Sequence, residues 1–128
     1  MEDILVVDDD SNMLRAIKRI LEREGFAAHC VESGEEAITQ IKERTFSLMI
    51  TVYNMPGLNG LELARKGLEL APRMPIIMDT GGLTPLITRL AKEIGIAKVL
   101  SKPFQVAEFM KTVRDVLVTP GEWATSTG

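Results

Sequence analysis

Ile4-Leu5-Val6-Val7-Asp8-Asp9-Asp10 is the stretch from which the rest of the chain can be read. The four apolar residues, three of them β-branched, read as a short strand buried on both faces. Three carboxylates follow at its C-terminal end, just before a helical pattern begins. Neighbouring acids at the end of a buried strand repel one another. A hard cation would resolve that repulsion, because Mg²⁺ takes oxygen ligands and commonly one or two carboxylates plus water. Helix capping is the competing use, since an acid before a first turn faces the positive end of the helix dipole. Asp10 or Ser11 can cap alone. Asp8 and Asp9 are therefore read as cation ligands and Asp10 as the cap.

Outward from this point the chain alternates strand-like and helix-like segments. Apolar runs at Ile4–Val7, Ala27–Val31, Leu48–Val52, Pro75–Met78 and Lys98–Leu100 are of strand length, with Thr80 closing the fourth strand. Between them, Leu14, Ile17 and Leu21 share one helical face. Ala37, Ile38 and Ile41 mark a second helix, and Leu61, Ala64, Leu68 and Ala71 a third. Leu86, Ile87, Leu90 and Ile94 mark a fourth; Val106, Phe109, Met110, Val113 and Leu117 mark a fifth. Gly25 suits a left-handed helix end. Ser33 with Glu36 fits a capping box, and Thr84-Pro85 places a cap before a first-turn proline. Strands alternating with helices imply an α/β, doubly wound sandwich: a five-stranded parallel sheet with helices on both faces. Ligands of such open sheets bind outside the carboxyl ends of the strands, at the switch in strand order. Asp8–Asp10, Val52–Asn54, Thr80 and Lys102 all fall at or just after such ends.

At 128 residues the chain is long enough for one domain with a real core. Residues 1–118 are read as that domain and 119–128 as a tail or linker stub, small and polar apart from Trp123. A net charge of −3 does not support nucleic-acid binding through a broad basic face. The single cysteine, Cys30, excludes an internal disulfide and reads as a small buried hydrophobe of a reducing compartment. No signal peptide or membrane-spanning run is present, so a cytoplasmic location is expected.

Three later segments would complete a pocket with the acids: Thr51-Val-Tyr-Asn-Met-Pro-Gly-Leu-Asn-Gly60, Asp79-Thr80-Gly81 and Ser101-Lys102-Pro103-Phe104. Pro56 and Gly57 force a turn, and Gly60 permits close packing. Lys102 would reach over the sheet edge as a point charge for a phosphoryl group or carboxylate, although a solvated loop lysine is the commoner use. Thr80, followed by two glycines, offers a hydroxyl beside open backbone; a turn threonine is the alternative. Asp79 is expected to point away from the Thr80 side by strand alternation, and so not to serve as an acceptor.

Taken together, these segments resemble the receiver domain of two-component response regulators, over residues 3 to about 118. The resemblance implies Mg²⁺ held by Asp8, Asp9 and the backbone carbonyl of Asn54. It also implies Thr80 and Lys102 beside a phosphate-accepting aspartate, and a cis Lys102-Pro103 peptide. One place departs from the pattern. The family's acceptor stands three residues before the Met-Pro pair, and here that residue is Val52. Valine has no oxygen, so the family's acyl phosphate cannot form there. Mg²⁺ loses a carboxylate, and Lys102 is left to lean on Asp8 or Asp9. An altered receiver and a natural pseudo-receiver both fit.

The resemblance further implies a sensor histidine kinase or phosphotransfer protein as partner. An output domain or partner would dock on the fourth helix, fifth strand and fifth helix, through Thr80, Ile87, Leu90, Val99 and Val106. Val99 stands where receivers often carry a switching aromatic. A homodimer is compatible with that surface, and the chain is expected either to stand alone or to be cut at a linker. The domain would be a signalling module and not an enzyme, accepting phosphate by itself only with aspartate at position 52. Two other classes compete. One is an interaction module independent of phosphate. The other is a small Mg²⁺-dependent phosphatase using Asp8 and Asp10, for which the expected threonine is replaced by Asn12.

Overall fold

The computed structural model describes residues 2–118; the tail read at 119–128 lies outside them. Five strands alternate with five helices: β1 (Asp3–Val7), α1 (Ser11–Arg23), β2 (Ala27–Val31), α2 (Gly34–Glu43), β3 (Leu48–Val52), α3 (Gly60–Leu70), β4 (Ile76–Thr80), α4 (Pro85–Ile94), β5 (Lys98–Ser101) and α5 (Val106–Val118). The sheet is wholly parallel, in the order β2-β1-β3-β4-β5. The order reverses between β1 and β3, so the crevice expected of a doubly wound sheet opens above those two strands.

Both faces of the sheet are buried, which is why its strands are nearly all apolar. On one face Ile4, Val6, Leu48, Ile50, Ile77 and Leu100 pack against Leu14, Ile17 and Leu21 of α1 and Phe109, Met110 and Val113 of α5. On the other, Leu5, Val7, Met49, Ile76 and Met78 meet Ala37 and Ile41 of α2, Leu63 and Ala64 of α3, and Ala91 of α4. Two of the residues that mark the helical period lie on the surface. Leu86 is 53% exposed and Val106 56%, because each opens its helix on the solvent side. Cys30 is only half-buried, with its thiol directed at the Leu14 carbonyl and its pKa raised by burial.

Local chemistry sets the helix ends. Asp10 caps α1, its side chain accepting from the backbone N–H of Asn12 and Met13. Ser33 accepts from Glu36 N–H on α2, and Thr84 caps α4 ahead of Pro85. Gly25 follows α1 at φ +93°, the left-handed conformation expected of it. A further capping box, not anticipated from the sequence, joins Asn59 and Glu62 at the start of α3.

Candidate functional site

Four side chains reach one point at the C-terminal edge of the sheet because strand alternation keeps them in step. Ile4 and Val6 put Asp8 on the α1/α5 face; Leu48 and Ile50 do the same for Val52, Ile77 for Asp79 and Leu100 for Lys102. Along β1, β3, β4 and β5 they form a row, and Val52 pairs directly with Asp79 in the β3–β4 register. Above the row lies a pocket of about 230 Å³, also lined by Asp9, Asp10, Tyr53, Asn54, Thr80 and Gly81.

The position of Asp79 corrects the expectation for that residue. Alternation does separate it from Thr80, but the side it takes is that of the acids and the lysine. Asp79 is 1% exposed, and Lys102 Nζ stands 3.3 Å from its Oδ1. The same ammonium lies 3.9 Å from Asp8 Oδ2, so Lys102 leans on Asp79 and Asp8; its described ion pairs do not include Asp9. Neither Asp8 Oδ2 nor Asp79 Oδ1 accepts a hydrogen bond, although both are buried. Burial pushes the Asp79 carboxyl up to about 6, against the opposing pull of Lys102. Asp8 is raised as well, first by burial, with the Asp10 N–H bond and Lys102 working in the other direction. Desolvation therefore outweighs the ion pair at Asp79.

Val52 is 5% exposed on the pocket floor. The loop after it is held in place by close packing. A Cβ added at Gly60 would lie 2.4 Å from the Val52 carbonyl oxygen and 2.9 Å from Tyr53 Cα, closer than any real contact. Gly60 N–H donates to the Tyr53 carbonyl at 2.8 Å, and Gly57 adopts φ +77° in the turn. Across the pocket Thr80 is buried, its hydroxyl accepting from Gly82 N–H at 3.1 Å. A Cβ at Gly81 or Gly82 would touch nothing, so this side is open. The Lys102-Pro103 peptide is cis, as the resemblance implies.

The donors suit a hard cation. Among the described residues no three His, Cys, Asp or Glu side chains gather closely enough to cage a metal alone. Mg²⁺ does not require such a cage, because it keeps several waters and needs one or two carboxylates. Asp8 Oδ2 is a buried, unsatisfied oxygen at the switch point, and Asp9 and Asn54 stand on the same wall. Asp10 is committed to its cap, which weakens the pairing of Asp8 with Asp10 that a phosphatase would use. On the face read as the partner surface, Ile87, Leu90 and Val99 are half-buried against the core, whereas Leu83, Leu86 and Val106 are exposed. No described helix is long and apolar enough to cross a membrane.

Known proteins are similar to this chain as a whole. Response regulator receiver protein CpdR of Brucella abortus is 32% identical over 118 residues, covering 92% of this chain and 98% of that protein. Sensory/regulatory protein RpfC of Xanthomonas campestris is 26% identical over 129 residues, 95% of this chain but 17% of RpfC. A CheY-like receiver domain structure from Methanospirillum hungatei superposes with a TM-score of 0.91 at 27% identity, covering 95% of this chain and 98% of that one. The family model for the response regulator receiver domain matches residues 4–114. The chain therefore belongs to the response regulator receiver family, the signalling modules of two-component phosphorelays.

Proposed function

We propose that this chain is a receiver whose β3 acceptor place has been closed by Val52, with the rest of the phosphorylation pocket retained. The observation that carries this reading is the row Asp8, Val52, Asp79, Lys102 at the switch-point edge, with Thr80 across the pocket. Asp8, Asp9 and the Asn54 carbonyl would hold Mg²⁺, which when bound offsets phosphoryl charge. Lys102 supplies a second, fixed positive charge, and Thr80 a hydroxyl. Such groups act mainly by positioning and electrostatics, so they retain their use when the nucleophile changes. The partner is a sensor histidine kinase or phosphotransfer protein. Output runs through the α4, β5 and α5 face, where Leu86 and Val106 are exposed.

The test is the intact mass of Val52→Asp after incubation with Mg²⁺ and acetyl phosphate. One added phosphoryl group at residue 52 is expected. No gain would mean the pocket is no longer a phosphorylation pocket, and would favour the phosphate-independent interaction module.

A further inference from the structure

The carboxylate missing from β3 has a counterpart one strand away. Val52 and Asp79 are direct partners in the β3–β4 register, and both side chains stand on the α1/α5 face of the sheet. Both line the same pocket and both are buried, 5% and 1% exposed. Lys102, the only cationic side chain among the described residues lining that pocket, is drawn to Asp79 at 3.3 Å in preference to Asp8 at 3.9 Å. Asp79 Oδ1 is buried, with the Lys102 ammonium 3.3 Å away as its described ion-pair partner. Next along the chain come the Thr80 hydroxyl and two glycines whose missing side chains leave the approach open. A helix-capping role is excluded, because Asp79 lies inside β4.

Resting on the reading of this pocket as a phosphorylation site, we infer that Asp79 is its phosphoryl acceptor, the acid having moved from β3 to β4. In the step, an ionised Asp79 oxygen attacks the phosphorus of an acyl phosphate or phosphohistidine donor. A new O–P bond forms, and the bond from phosphorus to the donor's oxygen or nitrogen breaks. The electron pair leaves with the carboxylate or imidazole, and no oxidant or reductant takes part. Lys102 faces the charge that builds on the phosphoryl oxygens, and Thr80 is placed to donate to one of them.

Four proteins decide the matter: the native chain, Asp79→Asn, Val52→Asp and Val52→Asp/Asp79→Asn. Each is incubated with Mg²⁺ and acetyl phosphate and weighed intact, and borohydride then traps aspartyl phosphate as homoserine for mapping. The native chain is expected to gain one phosphoryl group at residue 79, and Asp79→Asn none. The double variant should gain one at residue 52, which shows that losing Asp79 leaves the pocket folded and working. A native chain that gains nothing, while either Val52→Asp form is labelled at residue 52, overturns Asp79 as acceptor and leaves the receiver reading intact. Equal gain by the native chain and Asp79→Asn places the acceptor elsewhere and also overturns it. No gain by any of the four removes both this inference and the pocket reading on which it rests.

Discussion

Replacing Asp79 by asparagine should stabilise the metal-free protein at neutral and alkaline pH. Asp79 is buried at the sheet edge, and burial raises its carboxyl from 3.8 to about 6 even with Lys102 3.3 Å away. That difference corresponds to roughly 3 kcal/mol of stability lost when the group is charged, one pH unit being worth about 1.4 kcal/mol. The folded protein holds the proton between about pH 3.8 and 6 while the unfolded chain releases it, so stability falls as pH rises through that window. The penalty is complete above it and nearly gone below it. Asparagine keeps the shape without the charge. Lys102, whose side chain is 29% exposed, can turn toward Asp8 and water. Urea unfolding in EDTA should therefore show Asp79→Asn more stable than the native chain by about 1–3 kcal/mol at pH 8, shrinking to under about 1 kcal/mol at pH 4. A less stable variant at pH 8, or a difference that ignores pH, would show that the ion pair outweighs desolvation and refute the reasoning.

Other perturbations probe the same edge. Val52→Asp should be less stable than the native chain in EDTA, since it places a third carboxylate around one lysine, and should gain more from Mg²⁺. Melting temperatures with and without Mg²⁺ read this through ligand linkage, and equal shifts for both proteins would contradict it. Gly60→Ala puts a Cβ 2.4 Å from the Val52 carbonyl and should cost about 1–3 kcal/mol by displacing the β3–α3 loop. Chemical denaturation checks it, and a neutral result would mean the loop yields freely. Asn59→Ala removes the capping box of α3 and should cost about 1 kcal/mol in the same assay.

The layered fold is legible because five apolar runs of strand length alternate with helical periodicity, and the acids mark the carboxyl edge. Position along the chain alone places Asp8, Val52, Thr80 and Lys102 at that edge, and the structure brings them to one pocket. Asp79 is not legible, for a physical reason. Both faces of a parallel sheet are buried, so a strand read alone shows which residues alternate but not which face belongs to the site. Only the pairing of Val52 with Asp79 fixes that. Leu86 and Val106 keep the helical period without facing the core, because they stand at helix starts. The Asn59–Glu62 box has a signal that could have found it, the spacing Asn-x-x-Glu.

Asp79 facing Lys102 inside the pocket is the central feature of this site, and a carbon-13 titration of the Asp79 carboxyl in the metal-free protein tests it most directly. The carboxyl should titrate near pH 6, and higher still in Lys102→Met, because Lys102 is what holds it down. Titration in the ordinary range near 3.8, unchanged by loss of Lys102, would put Asp79 in solvent and contradict the site as described.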